Sequence, residues 1–365
     1  MKKNNKIKVL VALSGGVDSS VSAALLLRQG YDVTGAFMKQ WSESQDMAGV
    51  CSWKQDRRDA LRVAAFLGIP LLTLDFEKEY KQWVTEYMFA EYEAGRTPNP
   101  DVLCNKYIKF GVWLDKAKEL GFEYLATGHY ARNKEQGTRN NKKFLLMTSK
   151  DTEKDQTYFL HQLGQQQLAY TLFPVGDYTK KQVRAMAKRW KLPTAERPES
   201  MGICFVGEVP MKEFLQQKIK PTPGKIVTTS GEEIGQHDGL AFYTIGQRNF
   251  GIRNNELGIR EQTSLFVVEK RIATNELVVG HEDDPLLYSK ITTVSDVHFV
   301  SGQMPVFPLR CEVRLRHRQP LERCRIRNQE SGIVVEFKKQ QRAVTPGQFA
   351  VFYKKGECLG GGVIQ

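Results

Sequence analysis

Residues 7–38, IKVLVALSGGVDSSVSAALLLRQGYDVTGAFM, decide how the N-terminal half of the chain folds. Ile7–Leu13 is an apolar, β-branched run of strand length. Val17, Val21, Ala24, Leu25 and Arg28 then recur at helical spacing up to Gly30, which suits a helix C-cap, and YDVTGAFM reads as a second strand. The segment is therefore a βαβ unit with its glycine-rich turn, Ser14–Ser19 (SGGVDS), at the N-terminus of the helix. Gly15 and Gly16 admit an anion to the backbone, Ser14, Ser19 and Ser20 add hydroxyls, and the positive end of the helix dipole points the same way. The turn lacks the lysine of GxxxxGK[ST]. It carries an acid instead, Asp18, which suits a magnesium-bound pyrophosphate leaving group better than γ-phosphoryl transfer.

Outward from this unit the alternation continues to about Val206. A helix over residues 56–67, a strand at LLTLDF, a helix over 110–120 and a strand at EYLATGHY predict a parallel sheet covered on both faces, with its ligand at the carboxyl ends of the strands. NKEQGTRNNKK (residues 133–143) reads as an exposed hairpin turn. After Gly207 short strands alternate with Gly, Pro and Asn turns, so the chain divides into an α/β domain, 1–206, and two mainly-β domains, 207–280 and 281–365. Its 365 residues suffice for three cores. No apolar run reaches a membrane span or has the form of a signal peptide, which predicts a cytoplasmic protein without a membrane partner.

The net charge is +12, and residues 286–365 hold 13 Lys+Arg against 6 Asp+Glu. This asymmetry points to a polyanionic partner. In CEVRLRHRQPLERCRIR, Arg314, Arg316 and Arg318 alternate, as do Arg323, Arg325 and Arg327. Period two in a hairpin would put all six on one face and Val313, Leu315, Cys324 and Ile326 on the other, a surface able to track phosphates.

None of the six cysteines forms a CxxC or CxxH pair, so no zinc or iron–sulfur site is expected. Cys311, Cys324 and Cys358 lie in strand-like runs as small buried residues. Cys104, in TPNPDVLCNKYIKF, follows a proline-rich loop at the start of a helix near Lys106 and Lys109, where its thiol pKa would be lowered. Cys204, in RPESMGICFVGE, sits between glycines with Arg197 nearby. A thiolate or persulfide could displace an adenylylated oxygen from the carbon that bears it, and a buried structural role remains open for each cysteine alone.

SGGVDS resembles the PP-loop of ATP pyrophosphatases. Taken with TPNPDVLCNKYIKF, LATGHYAR, KDQTYFL, RPESMGICFVGE, PTPGKIV, HDGLAFYTIGQR, LRHRQ and TPGQFAVFY…CLGGGVI, the chain resembles the bacterial tRNA-specific 2-thiouridylase (MnmA) family from about Lys8 to Ile364. The resemblance implies an adenine-nucleotide α-hydrolase-like PP-loop domain, a central β-rich domain, and a last β-barrel domain that contacts tRNA. It also implies ATP with Mg²⁺, no protein-ligated metal, a tRNA anticodon stem-loop as substrate, and a protein persulfide donor such as a cysteine desulfurase or relay protein. By position, Ala12, Leu13, Ser14, Gly15, Gly16, Val17, Asp18, Ser19, Met38 and Gly128 would contact ATP. Asn99, Pro100 and Asp101 would engage the target base, with Asp101 also catalytic; Lys154, Asp155, Gln156, Arg316 and His317 would touch the tRNA. Cys104 would be the nucleophile and Cys204 the persulfide carrier, the two ending as a disulfide.

Two departures stand out: Ala12-Leu13 replaces the family's usual Gly-Met, and Arg316-His317 its usual Arg-Tyr. Plainer readings exist for several positions. Asp155 and Gln156 suit a helix cap, Met38 a strand-end core position, and Asn99–Asp101 an Asx-Pro turn, while His129 reads as structural or nucleotide-adjacent. Two rival functions remain at this level: another PP-loop tRNA-modifying or amide-forming ligase that ignores the cysteines, and a non-catalytic RNA-binding protein.

Overall fold

The computed structural model describes residues 6–39, 52–138, 141–198, 211–248, 264–330 and 332–365. The opening unit folds as its periodicity predicts. β1 (Lys8–Ala12) leads through the loop into α1 (Val17–Arg28) and then β2 (Asp32–Lys39). α2 (Ser52–Leu67) and β3 (Leu71–Asp75) follow, then β4 (Tyr124–Ala126), the hairpin β5 (Ala131–Thr138) and β6 (Asn141–Thr148), and β7 (Thr171–Leu172). Among the described residues these strands build a parallel sheet in the order β3-β2-β1-β4-β7. Both faces are covered, which explains the continuous apolar run of β1. Val9 and Val11 pack with α1 and α2, whereas Leu10 packs with the helices over residues 77–119. The strand order reverses beside β1, so a crevice opens at the carboxyl ends of β1 and β4, where SGGVDS lies.

The later part is β-rich, as expected. β8 (Gly224–Thr228), β9 (Glu233–His237), β10 (Phe266–Arg271) and β11 (Glu276–Gly280) form a sheet in the order β10-β11-β8-β9 around Ile226, Val267, Leu277 and Val279. β12 (Tyr288–Phe299), β13 (Leu309–Arg314), β14 (Glu322–Gln329), β15 (Gly332–Arg342), β16 (Phe349–Lys354) and β17 (Glu357–Ile364) form a barrel. It closes because β12 pairs with both β15 and β17, and closure removes the exposed edges. Val313, Ile326, Val335, Phe337 and Phe352 fill it.

The segment 133–143 lies in the expected exposed hairpin, with strand reaching further into it than the turn reading allows. β5 runs through Thr138 and β6 starts at Asn141, so most of it is strand paired in register from Ala131–Thr148 to Thr138–Asn141. β6 also pairs with the barrel, Met147 opposite Glu357, and Thr148 N donates to the Gly356 carbonyl at 2.8 Å. A hairpin from the N-terminal domain thus extends the C-terminal sheet, while its polar strands pair with each other. Among the described residues no helix is long and apolar enough to cross a membrane.

Candidate active site

The loop after β1 is wired by its own serines. The Ser19 and Ser20 hydroxyls donate to the Gly16 carbonyl at 3.0 and 2.7 Å, and the Ser14 and Ser19 hydroxyls lie 3.3 Å apart. Gly16 caps α1 without a side-chain hydrogen bond, so the first N–H groups of the helix face outward unsatisfied by a cap. Gly15 has φ +78°, and a Cβ there would sit 2.5 Å from the Asp56 carbonyl oxygen. Gly128, just past β4, lies so close to the start of α1 that a Cβ would meet the Ser19 nitrogen at 2.8 Å. Two glycines therefore bring neighbouring backbone against the helix N-terminus, a cradle whose polarity fits a nucleotide's phosphates. Met38, next to last in β2, is half-buried and packs against the core of Leu10 and Ala36. The side chains of Leu13 and Val17 point into the core instead, which leaves their backbone as the part able to face a ligand. One carboxylate among hydroxyls also fits Mg²⁺, which keeps much of its shell from water and phosphate oxygens.

Asp18 is engaged from two distant segments. The Tyr130 hydroxyl donates to Oδ1 at 2.9 Å, and Lys180 Nζ bonds both carboxylate oxygens at 2.7 Å. Arg197 binds the other side of the loop, donating to the Gly15 carbonyl at 2.8 Å and to Asp59 at 2.8 Å, and also pairing with Asp56. Burial pushes the Asp56 carboxyl up, partly offset by that guanidinium. Arg197 opens RPESMGIC, so the root of the Cys204 segment is bolted to the loop. Cys204 itself lies outside the described residues. Neither Lys180 nor Tyr130 stands out by spacing in the sequence. The usable signal was TKKQ, a capping box in which Thr179 and Gln182 fix the start of the helix Lys180–Arg189.

The second predicted cluster forms around Thr97–Cys104. Pro100 occupies the first helical position, so the helix begins two residues before the expected start at Val102. Cys104 therefore falls beyond the first turn and is buried at 1% exposure, where the expectation was a thiol in the first turn. From Cys104 to Val112 the helix is wound π-wide, with Gly111 off helical geometry (φ −102°, ψ −108°), a local irregularity typical of functional helices. Cys104 shares a core with Leu10 of β1 and Ala36 of β2. Phe110 in turn packs 5.9 Å from the His129 ring, next to Gly128. Desolvation and then the charge of Lys109 hold the His129 pKa well below the usual range, so the ring is neutral.

The TPNPD loop is held from the barrel. Gln348 Nε2 donates to the Thr97 and Pro98 carbonyls at 2.9 and 3.1 Å and its Oε1 accepts from Asn99 at 3.4 Å, while Thr97 N donates to the Pro346 carbonyl at 2.9 Å. TPGQ and TPNP are thus one unit, and sequence distance hid it.

The predicted RNA-contacting residues divide. Asp155, at 2% exposure, accepts from Ser149 N at 3.1 Å, Thr157 Oγ1 at 2.7 Å and Arg314 Nη1 at 3.0 Å, so its carboxylate faces protein. Gln156 exchanges hydrogen bonds with the Tyr130 backbone at 2.9 and 2.8 Å. Lys154 is half-buried beside them. The first arginine triplet is not a stripe. β13 ends at Arg314, which is buried; Arg316 Nη2 turns back to the Ala343 and Ile245 carbonyls at 2.6 and 3.3 Å and to Thr345 Oγ1 at 2.8 Å. Arg318 has φ +65° in the connection that follows, and alternation holds only while a strand continues. The His317 ring lies tilted 4.5 Å from the Phe159 ring, and desolvation lowers its pKa to about 4. The second triplet keeps its period. Arg323 and Arg325 are exposed, Arg327 pairs with Glu336 at 2.7 Å, and Cys324 and Ile326 are buried.

Residues 7–208 match the family described as tRNA methyl transferase HUP domain, 212–281 its PRC-barrel domain, and 289–364 the aminomethyltransferase beta-barrel domain. A curated tRNA-specific 2-thiouridylase MnmA of Streptococcus sanguinis is 48% identical over 370 residues, covering 100% of this chain and 96% of that protein. The chain belongs to the MnmA family. MnmA proteins of Acinetobacter baumannii and Legionella pneumophila are each 47% identical; the first alignment covers 98% of this chain and 96% of the relative, the second 99% of both. The MnmA relatives thus span all three structural parts, the anion loop, the cysteine helix and the barrel together.

Proposed function

We propose that this chain thiolates the wobble uridine of tRNA at C2, with ATP as the activating co-substrate. The observation that supports the reading is that Arg197, on the approach to Cys204, and the helix of Cys104 both reach the anion loop and its sheet. Arg197, seven residues before Cys204, donates to the Gly15 carbonyl, and the helix of Cys104 packs against the sheet beneath that loop. The uridine, turned out of its stack, presents O2 to the α-phosphorus. The O2–P bond forms as the bond to the β-phosphate oxygen breaks, and pyrophosphate leaves with the electron pair. Asn99, Pro100 and Asp101, on a loop that Gln348 holds at Thr97, Pro98 and Asn99, position the base. Sulfur then replaces the activated oxygen at C2 and AMP departs. Cys204 carries the sulfane sulfur as a persulfide; Cys104 attacks the inner sulfur, so the two thiols become a disulfide as the sulfur is reduced to the level of the product. Mg²⁺, when bound, would neutralise the leaving pyrophosphate. Lys, Glu and Gln tRNAs are the expected substrates.

The test is incubation of the full chain with ATP, a persulfide-loaded donor protein and unmodified tRNA, followed by nucleoside mass spectrometry. 2-Thiouridine at the wobble position, with PPi and AMP released, is the expected outcome. Cys104→Ser and Cys204→Ser should each abolish product, and Cys204→Ser should still release PPi. Thiolation by either serine variant would overturn the two-cysteine scheme.

A further inference from the structure

The anion loop contains no lysine, yet the fold brings one to it. Lys180 lies 162 positions beyond Asp18, and its ammonium bonds both carboxylate oxygens at 2.7 Å. The side chains are only 15% and 29% exposed. Its backbone is fixed as firmly: Lys180 N donates to Asp151 Oδ2 at 2.8 Å, and Thr179 N donates to Gln182 Oε1 at 2.9 Å just ahead of it. The helix it opens packs along α1, Val183 and Ala187 meeting Val17, Val21 and Ala24. The Tyr130 ring flanks the ammonium at 5.8 Å, while the Tyr130 hydroxyl holds the same carboxylate.

An acid in the first turn of a helix that receives phosphates calls for a cation beside it, a metal ion or a basic side chain, because its own charge opposes that of the ligand. Lys180 cancels that charge. A lysine head has three donors on a flexible stem, so it can keep one bond to Asp18 while offering another to an incoming oxyanion. A structural pair would need no such latitude, nor a place at the loop's mouth.

We propose that Lys180 is the phosphate-binding cation of this loop, contacting the pyrophosphate portion of ATP and stabilising it as it leaves. The inference rests on the reading that ATP binds here and is split to AMP and PPi. Lys180 adds no atom to the reaction and gives up no proton; the electron pair of the breaking P–O bond goes to pyrophosphate, whose growing charge the ammonium meets.

The test compares calorimetric binding of ATP, inorganic pyrophosphate and AMP to the full chain, the Lys180→Met variant and the Lys180→Arg variant, at fixed Mg²⁺. Lys180→Met should weaken pyrophosphate and ATP by roughly tenfold or more, the scale of a charge-assisted bond, and AMP by about twofold at most. Lys180→Arg should recover most of that loss. Should Lys180→Met unfold because Asp18 loses its partner, Lys180→Gln, whose amide can still donate to Asp18, takes its place and should still bind pyrophosphate poorly. Pyrophosphate affinity equal to the parent's in either variant overturns the inference, as does an equal loss of AMP and pyrophosphate, which would mark a structural residue. A parent chain that binds ATP and pyrophosphate but makes no thiolated tRNA leaves Lys180 in this role and sinks the sulfur chemistry; a parent that binds neither sinks both.

Discussion

Two acid–base pairs, Asp155–Arg314 and Asp18–Lys180, each join distant parts of the chain, and they do opposite things in this molecule. Asp155–Arg314 joins the N-terminal domain to the barrel with side chains 1% and 10% exposed. Asp155 takes further hydrogen bonds from Ser149 and Thr157, and the Arg314 guanidinium lies 5.4 Å over the Tyr353 ring. Asp18–Lys180 is shorter, at 2.7 Å, but it is wetter and sits at the mouth of a loop. The first pair is walled in and can exchange its partners with nothing. The second stays partly open to solvent beside the anion loop, and in the role proposed for Lys180 its bonds are shared with a ligand. Burial, and not bond length, separates a structural pair from a functional one.

The largest effect should come from Arg314→Met. It strands a carboxylate inside the protein, and urea unfolding should show a loss of about 3–5 kcal/mol. A loss under about 1 kcal/mol would mean that Ser149 and Thr157 satisfy Asp155 alone and would erase the contrast.

Gly15→Ala places a Cβ against the Asp56 carbonyl at a positive φ. It should cost about 1–3 kcal/mol and abolish ATP binding measured by equilibrium dialysis. Retained ATP binding would show that the loop tolerates a wider mouth than its glycines suggest.

The domain junction should also titrate. His161 is fully buried, and desolvation, partly offset by its bond to the Tyr158 carbonyl at 2.7 Å, lowers its pKa from 6.5 to about 3. A group with a depressed folded pKa favours the native state above the unfolded pKa. Stability should therefore fall as pH drops from 6.5 toward 3, with a slope of at most about 1.4 kcal/mol per unit from this group. Unfolding midpoints across that range should flatten in His161→Gln; an unchanged slope would assign the acid sensitivity elsewhere.

Lys180→Met should cost no more than about 1 kcal/mol, because its pair is partly solvated. A larger loss in urea would move Asp18–Lys180 into the structural class. The smallest stability effect belongs to Arg323→Gln/Arg325→Gln, within about 0.5 kcal/mol of the parent. Its signature is instead a flatter log–log salt dependence of tRNA binding, by roughly 0.7–0.9 for each phosphate no longer neutralised. An unchanged slope would make the outer face of β14 ordinary solvated surface.

The local features of this protein were written in contiguous residues. Ile7–Met38 specified strand, anion loop, helix and strand because each element's period and punctuation lie within a few residues. Ile326 and Arg325 showed their faces for the same reason, since β14 continues through them. The turns after Gly207 likewise announced β structure. Nothing local distinguishes Arg314 from Arg325, however. One is buried under the barrel and the other is exposed, because β13 stops at Arg314 beside Asp155 while β14 runs on. Lys180 at Asp18, Arg197 at Gly15, Gln348 at Thr97 and Met147 opposite Glu357 are likewise meetings of distant segments. Periodicity and capping act over one or two turns of chain, so the sequence alone determined the elements and the anion loop. Which charges face a ligand and which are locked into protein depends on desolvation, and only the packing of domains against one another decides that.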